Sequence, residues 1–329
     1  MDEKRRAARW RNRRIIYNND GNDVREGWTG VERRHDVEEK LFMRSGAELI
    51  DDFLNARSRA LVGTQVDSFW YCTCMAGVMF SHHTKLGGFC GKGVPQELVD
   101  QYGRDNLRIH TDFCHENDME VFWSLRMNDA ADSFPEGSRR WTFPLDHFKR
   151  EHPEWVMGDP GDWIEGKAHN KYWSYLDFSY EQVREHIFSL IQEVVQNYDV
   201  DGIEMDFFKR FPYFRETLDW LPVEEQHLDL MTDLVRRLRK MADETGQRRG
   251  RPVLLAARTP FNLSDARFVG LDLEKWLQED LIDILIAGGY YESEMTESFK
   301  EIVDLGHKYE VPVYPCIEWS FWGHWAFLD

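Results

Sequence analysis

An α/β fold, the (β/α)8 TIM barrel, is what this sequence predicts, and three observations carry it. Short apolar runs of β-rich composition alternate with amphipathic stretches of helical period, the pattern of a parallel sheet wrapped by helices. The 329 residues are enough for one large domain or two small ones, and at roughly this length the barrel leads. No glycine-rich phosphate-binding pattern follows the first strand, which weakens an open, doubly wound nucleotide-binding sheet as the other candidate.

Seven strands are expected, at 13–20, 67–74, 119–128, 201–208, 252–259, 282–289 and 311–319. Each is enriched in β-branched and aromatic residues and bounded by Gly, Pro, Asn or Asp. Helices are expected between them at 46–59, 97–118, 179–198, 223–246, 273–280 and 295–310. In 179–198 the apolar residues Val183, Ile187, Leu190, Ile191 and Val194 recur at helical spacing, with Ser179 as N-cap and Gln182 three residues on. The helix 223–246 is expected to stop at Gly246, with basic residues near its end. The seventh strand is followed closely by the end of the sequence, so the barrel is expected to lack its last βα unit; one misplaced strand is the alternative. Residues 1–12 read as a basic extension, solvated or forming a short helix, with an anion-binding arm as the other reading. Residues 13–329 form the single barrel, with an ordered, lid-like insertion at about 129–178, rich in Trp, Pro and Gly.

Net charge is −18 and the sequence pI is about 5.1, which disfavours nucleic acid and anionic membranes as partners. The 14% aromatic content, with 13 Trp, suits sugar rings as well as a large core. Cys72, Cys74, Cys90, Cys114 and Cys316 are odd in number and lack zinc-knuckle spacing, so reduced thiols are expected. Neither a membrane-spanning run nor a signal peptide is visible. The chain as written reads as cytoplasmic, or as secreted or periplasmic had a signal been trimmed.

The stretch NYDVDGIEMDFFKRF, 197–211, interleaves Asp201, Glu204 and Asp206 with a strongly apolar run. Burying an unpaired carboxylate costs several kcal/mol or shifts its pKa, so acids here need a purpose. In a strand, Gly202, Glu204 and Asp206 share one face and Ile203, Met205 and Phe207 the other. Inside a barrel the first set lines the interior and places Asp206 at the C-terminal mouth, where barrel active sites lie. The plainer alternative is a structural ion pair with Lys209 or Arg258. Glu318, at the end of the seventh strand, is expected to face Asp206 across the mouth, unless it is a solvated loop acid. Two carboxyl groups in that relation suit glycosidic bond hydrolysis, one as an acid and the other as nucleophile or base.

Substrate contacts are expected from Asp20, Lys85, Arg126, Asn128, Arg258 and Trp319. Arg126 and Asn128 close the third strand with Asp129 behind them, a set suited to hydroxyl recognition or to a salt-bridged strand end. Asn18 and Asp20 point alike at the end of the first strand, or form a plain Asn-Asp-Gly turn with Gly21. Arg258 is placed to pair with Asp206 and keep it ionised. His82 and His83 read as a loop feature, since no metal-ligand spacing accompanies them; neither a metal nor a cofactor is expected. Nucleophilic Ser or Cys catalysis lacks its motifs.

The run YDVDGIEMDFFKRF, preceded by FKREHPEW and WSYLDFSYEQVREHIFSLIQEVV, resembles the glycoside-hydrolase-like TIM-barrel families. Their fourth-strand pattern runs roughly Tyr-Asp-x-Asp-Gly-Ile-x-x-Asp. The likeness spans about 13–319 and is most specific in its middle. It implies a (β/α)8 barrel acting on glycosides, or descended from enzymes that do, with the signature aspartate at Asp206. Glu204 departs from the pattern, where many members carry His or another residue. The expected function is therefore a glycoside hydrolase acting on an oligo- or polysaccharide, with Asp206 and Glu318 catalytic and Glu204 supporting Asp206. The alternatives are a non-catalytic carbohydrate-binding barrel and a metal-dependent sugar lyase or isomerase.

Overall fold

A computed structural model of the chain describes residues 2–21, 46–89, 103–133, 145–159, 173–209, 212–288 and 297–317. The first half contains α1 (Asp2–Arg9), β1 (Ile15–Asn19), α2 (Gly46–Arg57), β2 (Val66–Cys72), β3 (Cys74–Ala76), β4 (Met79–Phe80), β5 (Gly88–Phe89), α3 (Asn106–Glu116), β6 (Glu120–Arg126) and α4 (His147–Glu151). The second half contains α5 (Glu181–Asn197), β7 (Gly202–Asp206), α6 (Arg215–Leu218), α7 (Glu225–Arg249), β8 (Leu254–Pro260), α8 (Leu263–Phe268), α9 (Leu273–Gln278), β9 (Ile284–Gly288), α10 (Glu297–Lys308) and β10 (Val313–Cys316).

Seven strands form one sheet in the order β1-β2-β6-β7-β8-β9-β10, every pair parallel. These are the seven strands that hydrophobic patterning predicts. The sheet curls into a TIM-barrel-type half-barrel, and its packing shows why. Ile16 at one edge and Tyr314 and Cys316 at the other pack on the same small cluster of Trp70, Phe122, Leu254, Ala256, Ile284 and Ile286. Only a sheet wrapped about an axis brings both edges to one interior. The alternate strand residues, such as Phe69, Val121, Ile203, Met205, Leu255 and Leu285, face the helices in a much larger core with Val183, Ile187, Leu234 and Leu238. Period-2 strands and period-3.6 helices thus meet on one apolar layer, each buried aliphatic side chain contributing roughly 1.5–3 kcal/mol.

Several local expectations are corrected. The basic stretch at the N-terminus is a helix, and its inner guanidiniums are buried rather than solvated. Arg5 Nε donates to Asp283 Oδ1 at 2.7 Å, Arg9 also reaches Asp283, and Ala8 packs on the interior cluster. Arg13 Nε and NH2 grip Glu120 at 2.6 and 2.7 Å. The helix therefore closes the floor of the barrel. Ser179 is not the cap of α5: Tyr180 occupies that position, and the Ser179 hydroxyl donates instead to Asp177 Oδ1 at 2.7 Å. Helix α7 runs through the buried Gly246 to Arg249 and ends on Gly250, whose φ of 73° supplies the left-handed cap. Among the described residues no helix is long and apolar enough to cross a membrane.

Candidate active site

Parallel pairing sets the interior of the barrel in rows. Phe122 on β6, Gly202 on β7 and Leu254 on β8 are in register; Ser124, Glu204 and Ala256 lie one row higher; Arg126, Asp206 and Arg258 lie above those. Gly202 is required by its row. A Cβ there would fall 2.2 Å from Phe122 Cε1, so only glycine lets the ring cross the axis beneath the acids. Both carboxyl groups thus stand on the inner face of β7, toward its C-terminal end.

Glu204 is fully buried. Asn18 Nδ2, at the end of β1, donates to its Oε2 at 2.6 Å, while Oε1 has no hydrogen-bond partner among the described residues. Burial, and then the charge of Asp206, push this carboxyl up to about 7; Arg258, Ser124 and Asn18 pull the other way. Asp206 is differently held. Its Oδ1 accepts from the main-chain N–H groups of Phe208 and Lys209 at 3.0 and 2.8 Å, and its Oδ2 lies 3.4 Å from Arg258 NH1. The same Arg258 guanidinium lies 5.5 Å from the centre of the Phe208 ring. Asp206 and Arg258 are thus paired, as the strand ends predict.

Arg126 completes the upper row. NH1 donates to Asp129 Oδ2 at 3.0 Å and NH2 to the Asp20 carbonyl at 3.3 Å. Burial works against its charge, but the nearby negative groups, including Asp129 and Asp20, outweigh it and hold the guanidinium protonated. Asp20 itself meets Arg57 at 3.1 Å. Asp20, Arg126, Asp206 and Arg258 therefore converge at the C-terminal end of the sheet.

Two expected contacts are placed elsewhere. Asn128 is buried and gives both amide hydrogens to main-chain carbonyls, Leu176 at 2.9 Å and Pro212 at 2.7 Å, while its Oδ1 accepts from Leu176 N–H. It ties the β6 loop to the segment before α5 and to the β7 loop, which leaves its N–H groups committed to the fold. Lys85 belongs to the outer layer. Its N–H donates to Glu193 in the C-terminal half of α5 at 2.9 Å, and Tyr198 beyond that helix donates to the His83 carbonyl at 3.2 Å. The loop follows the small β3–β5 sheet's middle strand and is held against α5 by Glu193. Glu318 and Trp319 lie outside the described residues.

His82 is a core residue. Its Nδ1 bonds Thr73 Oγ1 at 2.7 Å, and burial lowers its pKa to about 4, so it stays neutral. Among the described residues no three His, Cys, Asp or Glu side chains gather as a metal site. Asn18 and Ser124 are the site residues that sequence reasoning did not connect to Glu204. Asn18 was legible as an inward strand-end residue, and Ser124 follows once β6 and β7 are set in register.

Residues 82–217 match a family model described as Glycosyl hydrolase-like 10. Among solved structures, a cycloisomaltooligosaccharide glucanotransferase from Paenibacillus sp., complexed with cycloisomaltoheptaose, aligns at a TM-score of 0.51 and 10% identity, over 94% of this chain and 39% of its own. A glycoside hydrolase family 18 N-acetylglucosaminidase from Paenibacillus barengoltzii aligns at 0.44 and 13% identity, over 92% of this chain and 68% of its own. A family 36 alpha-galactosidase from Geobacillus stearothermophilus aligns at 0.36 and 14% identity, over 93% of this chain and 39% of its own. The chain thus spans about two-fifths to two-thirds of the length of these structures, and at 10% identity the likeness to the glucanotransferase is one of fold. A search of curated sequences returns no match. On a TIM-barrel-type fold, the chain carries a glycosyl hydrolase-like segment that includes the strand bearing Glu204 and Asp206.

Proposed function

We propose that the chain is a glycoside hydrolase that cleaves a glycosidic bond in an oligo- or polysaccharide through two carboxyl groups. Asp206 is one of them and Glu318 its partner; Glu204 supports Asp206, and Asp20, Arg126, Arg258 and Trp319 contact the sugar. The observation that carries this reading is the contrast on β7. Glu204, dry and raised to about 7, sits beside an Asp206 supplied with two main-chain N–H groups and a guanidinium. An aspartate fixed by donors at the strand end, with a buried acid of raised pKa beneath it, supports assigning Asp206 to acid–base chemistry on a glycoside. The glycosyl hydrolase-like match across this strand supports the substrate class, and a net charge of −18 fits a sugar better than a polyanion.

The test is reducing-sugar release from a glycan panel by the full chain and by Asp206→Asn. Turnover by the wild type and its fall by orders of magnitude in a folded variant are expected. Equal activity in the variant would remove Asp206 from the mechanism. Sugar binding without turnover would instead favour the non-catalytic barrel. Activity lost to a chelator and restored by a divalent ion would favour a lyase or isomerase.

A further inference from the structure

The two oxygens of Glu204 are treated unequally. Oε2 receives the short hydrogen bond from Asn18, and Oε1 is shielded from solvent without a partner among the described residues. An ionised carboxylate is poorly served there, because each oxygen is a strong acceptor that must be filled or remain desolvated. A neutral carboxyl costs less there: one oxygen accepts from Asn18, and the other, carrying the hydrogen, is no longer a charged acceptor held out of water. Two residues higher on the same face, Asp206 has the opposite surroundings, with two N–H donors and Arg258. Two carboxyls so close disfavour double ionisation.

We propose that Glu204 and Asp206 hold a single exchangeable proton on Glu204 Oε1, and that Asn18 is the positioning residue that fixes it there by occupying Oε2. The inference rests on the reading of this strand as the reacting one, and adds to it a residue of β1 and a defined place for a proton. Of the groups around Glu204, Asp206 favours the proton, whereas Arg258 and the Ser124 hydroxyl oppose it. Facing it are Asp206 on its own strand, Ser124 and Arg126 on β6, and Arg258 on β8. The Cys72 thiol on β2, pushed up to about 11 by burial, stays neutral. Ala256 and Ile284, the row-mates on β8 and β9, bring no charge. Tyr314 on β10 lies beside Arg13 at the floor. Burial and Asp206 raise the Glu204 carboxyl to about 7, as a proton held at neutral pH requires.

The experiment is a pH titration of the full chain, 13C-labelled at glutamate carboxyls, followed by NMR without substrate. Glu204→Gln identifies the resonance by its loss. The wild-type signal is expected to titrate near 7. Asn18→Ala removes a hydrogen bond that favours the charged form and should raise the midpoint by roughly one unit. Asn18→Asp, which places a negative charge there, should raise it further. Should Asn18→Ala fold poorly, Asn18→Ser keeps the volume small and the polarity present while shortening the donor, and is expected to fall between. A Glu204 midpoint in the ordinary glutamate range, or one unmoved by every Asn18 variant, overturns the proposal. Because no sugar enters the titration, its failure and a failure to hydrolyse glycans are separate results.

Discussion

Gly202→Ala tests the geometry on which the site stands. Its added Cβ would lie 2.2, 2.5 and 2.7 Å from Phe122 Cε1, Cζ and Cδ1. Carbon atoms in contact prefer about 3.5–4.0 Å, so the overlap is more than ~1 Å at the nearest atom. The ring has little room to retreat, since it is fully buried and stacked on Trp70 with centroids 4.7 Å apart. Overpacking of this kind costs about 1–3 kcal/mol, and a rigid aromatic stack places the expected loss near the upper end, ~3 kcal/mol. Denaturant midpoints at constant m-value measure it. Phe122→Leu trims the ring, so the double variant should be more stable than the sum of the single losses predicts, by about 1 kcal/mol or more. A Gly202→Ala chain within about 0.5 kcal/mol of wild type, or strict additivity in the cycle, would refute the claim that glycine here makes room for a ring across the barrel axis.

Two further outcomes follow from the buried charges. Arg13→Ala should cost about 3–5 kcal/mol, because it strands the buried Glu120 carboxylate that Arg13 holds with two bonds; the Arg13→Met, Glu120→Gln pair should recover part of that loss in the same denaturation assay. His82 has a folded pKa lowered to about 4, below the ordinary value near 6.5, so the unfolded chain binds the proton first as pH falls. Its contribution to stability should therefore be intact above about 6.5 and decline by up to roughly 3 kcal/mol as pH falls to about 4. His82→Gln should flatten the slope of midpoint against pH in that window, and an unchanged slope would contradict a neutral buried imidazole.

The sheet was legible because its signals are local. Period-2 apolar runs gave seven strands, and alternation within one of them gave the inward direction of Glu204 and Asp206. What escaped was set by partners far along the chain. Arg5 meets Asp283 across 278 residues, Arg13 meets Glu120 across 107, and Asn18 meets Glu204 across 186. A basic N-terminus whose acidic partners, Asp283 and Glu120, lie far along the chain looks solvated until the barrel folds and brings its floor to it. The main chain of Lys85 is set by a distant partner in the same way. A residue after a barrel strand is expected at the mouth, and only Glu193, far along the chain, shows that the Lys85 main chain lies against α5. Asn128 has the polarity of a ligand-binding residue, and only the carbonyls of Leu176 and Pro212 show its amide to be spent on the fold.

The barrel interior places the same chemistry at two levels and treats it differently. At the floor, Glu120 has both oxygens filled by Arg13, and Ser68 donates to it as well at 2.7 Å. Asp283 accepts from Arg5, Arg9, Arg239 and the Leu255 N–H; burial alone would raise its carboxyl, but those cations bring it below its ordinary value. Buried ions so fully answered hold the first strand and the N-terminal helix to the rest of the sheet. Above them Trp70 and Phe122 stack as a dry partition. Over that partition stands Glu204, with one oxygen left bare among the described residues and its carboxyl raised to about 7. A fold that satisfies its buried carboxylates at the floor had donors enough to do so again, and an unanswered acid costs stability. Under the proposed function that cost serves the chemistry, and the titration of Glu204, more than its removal, discriminates a working group from a structural one.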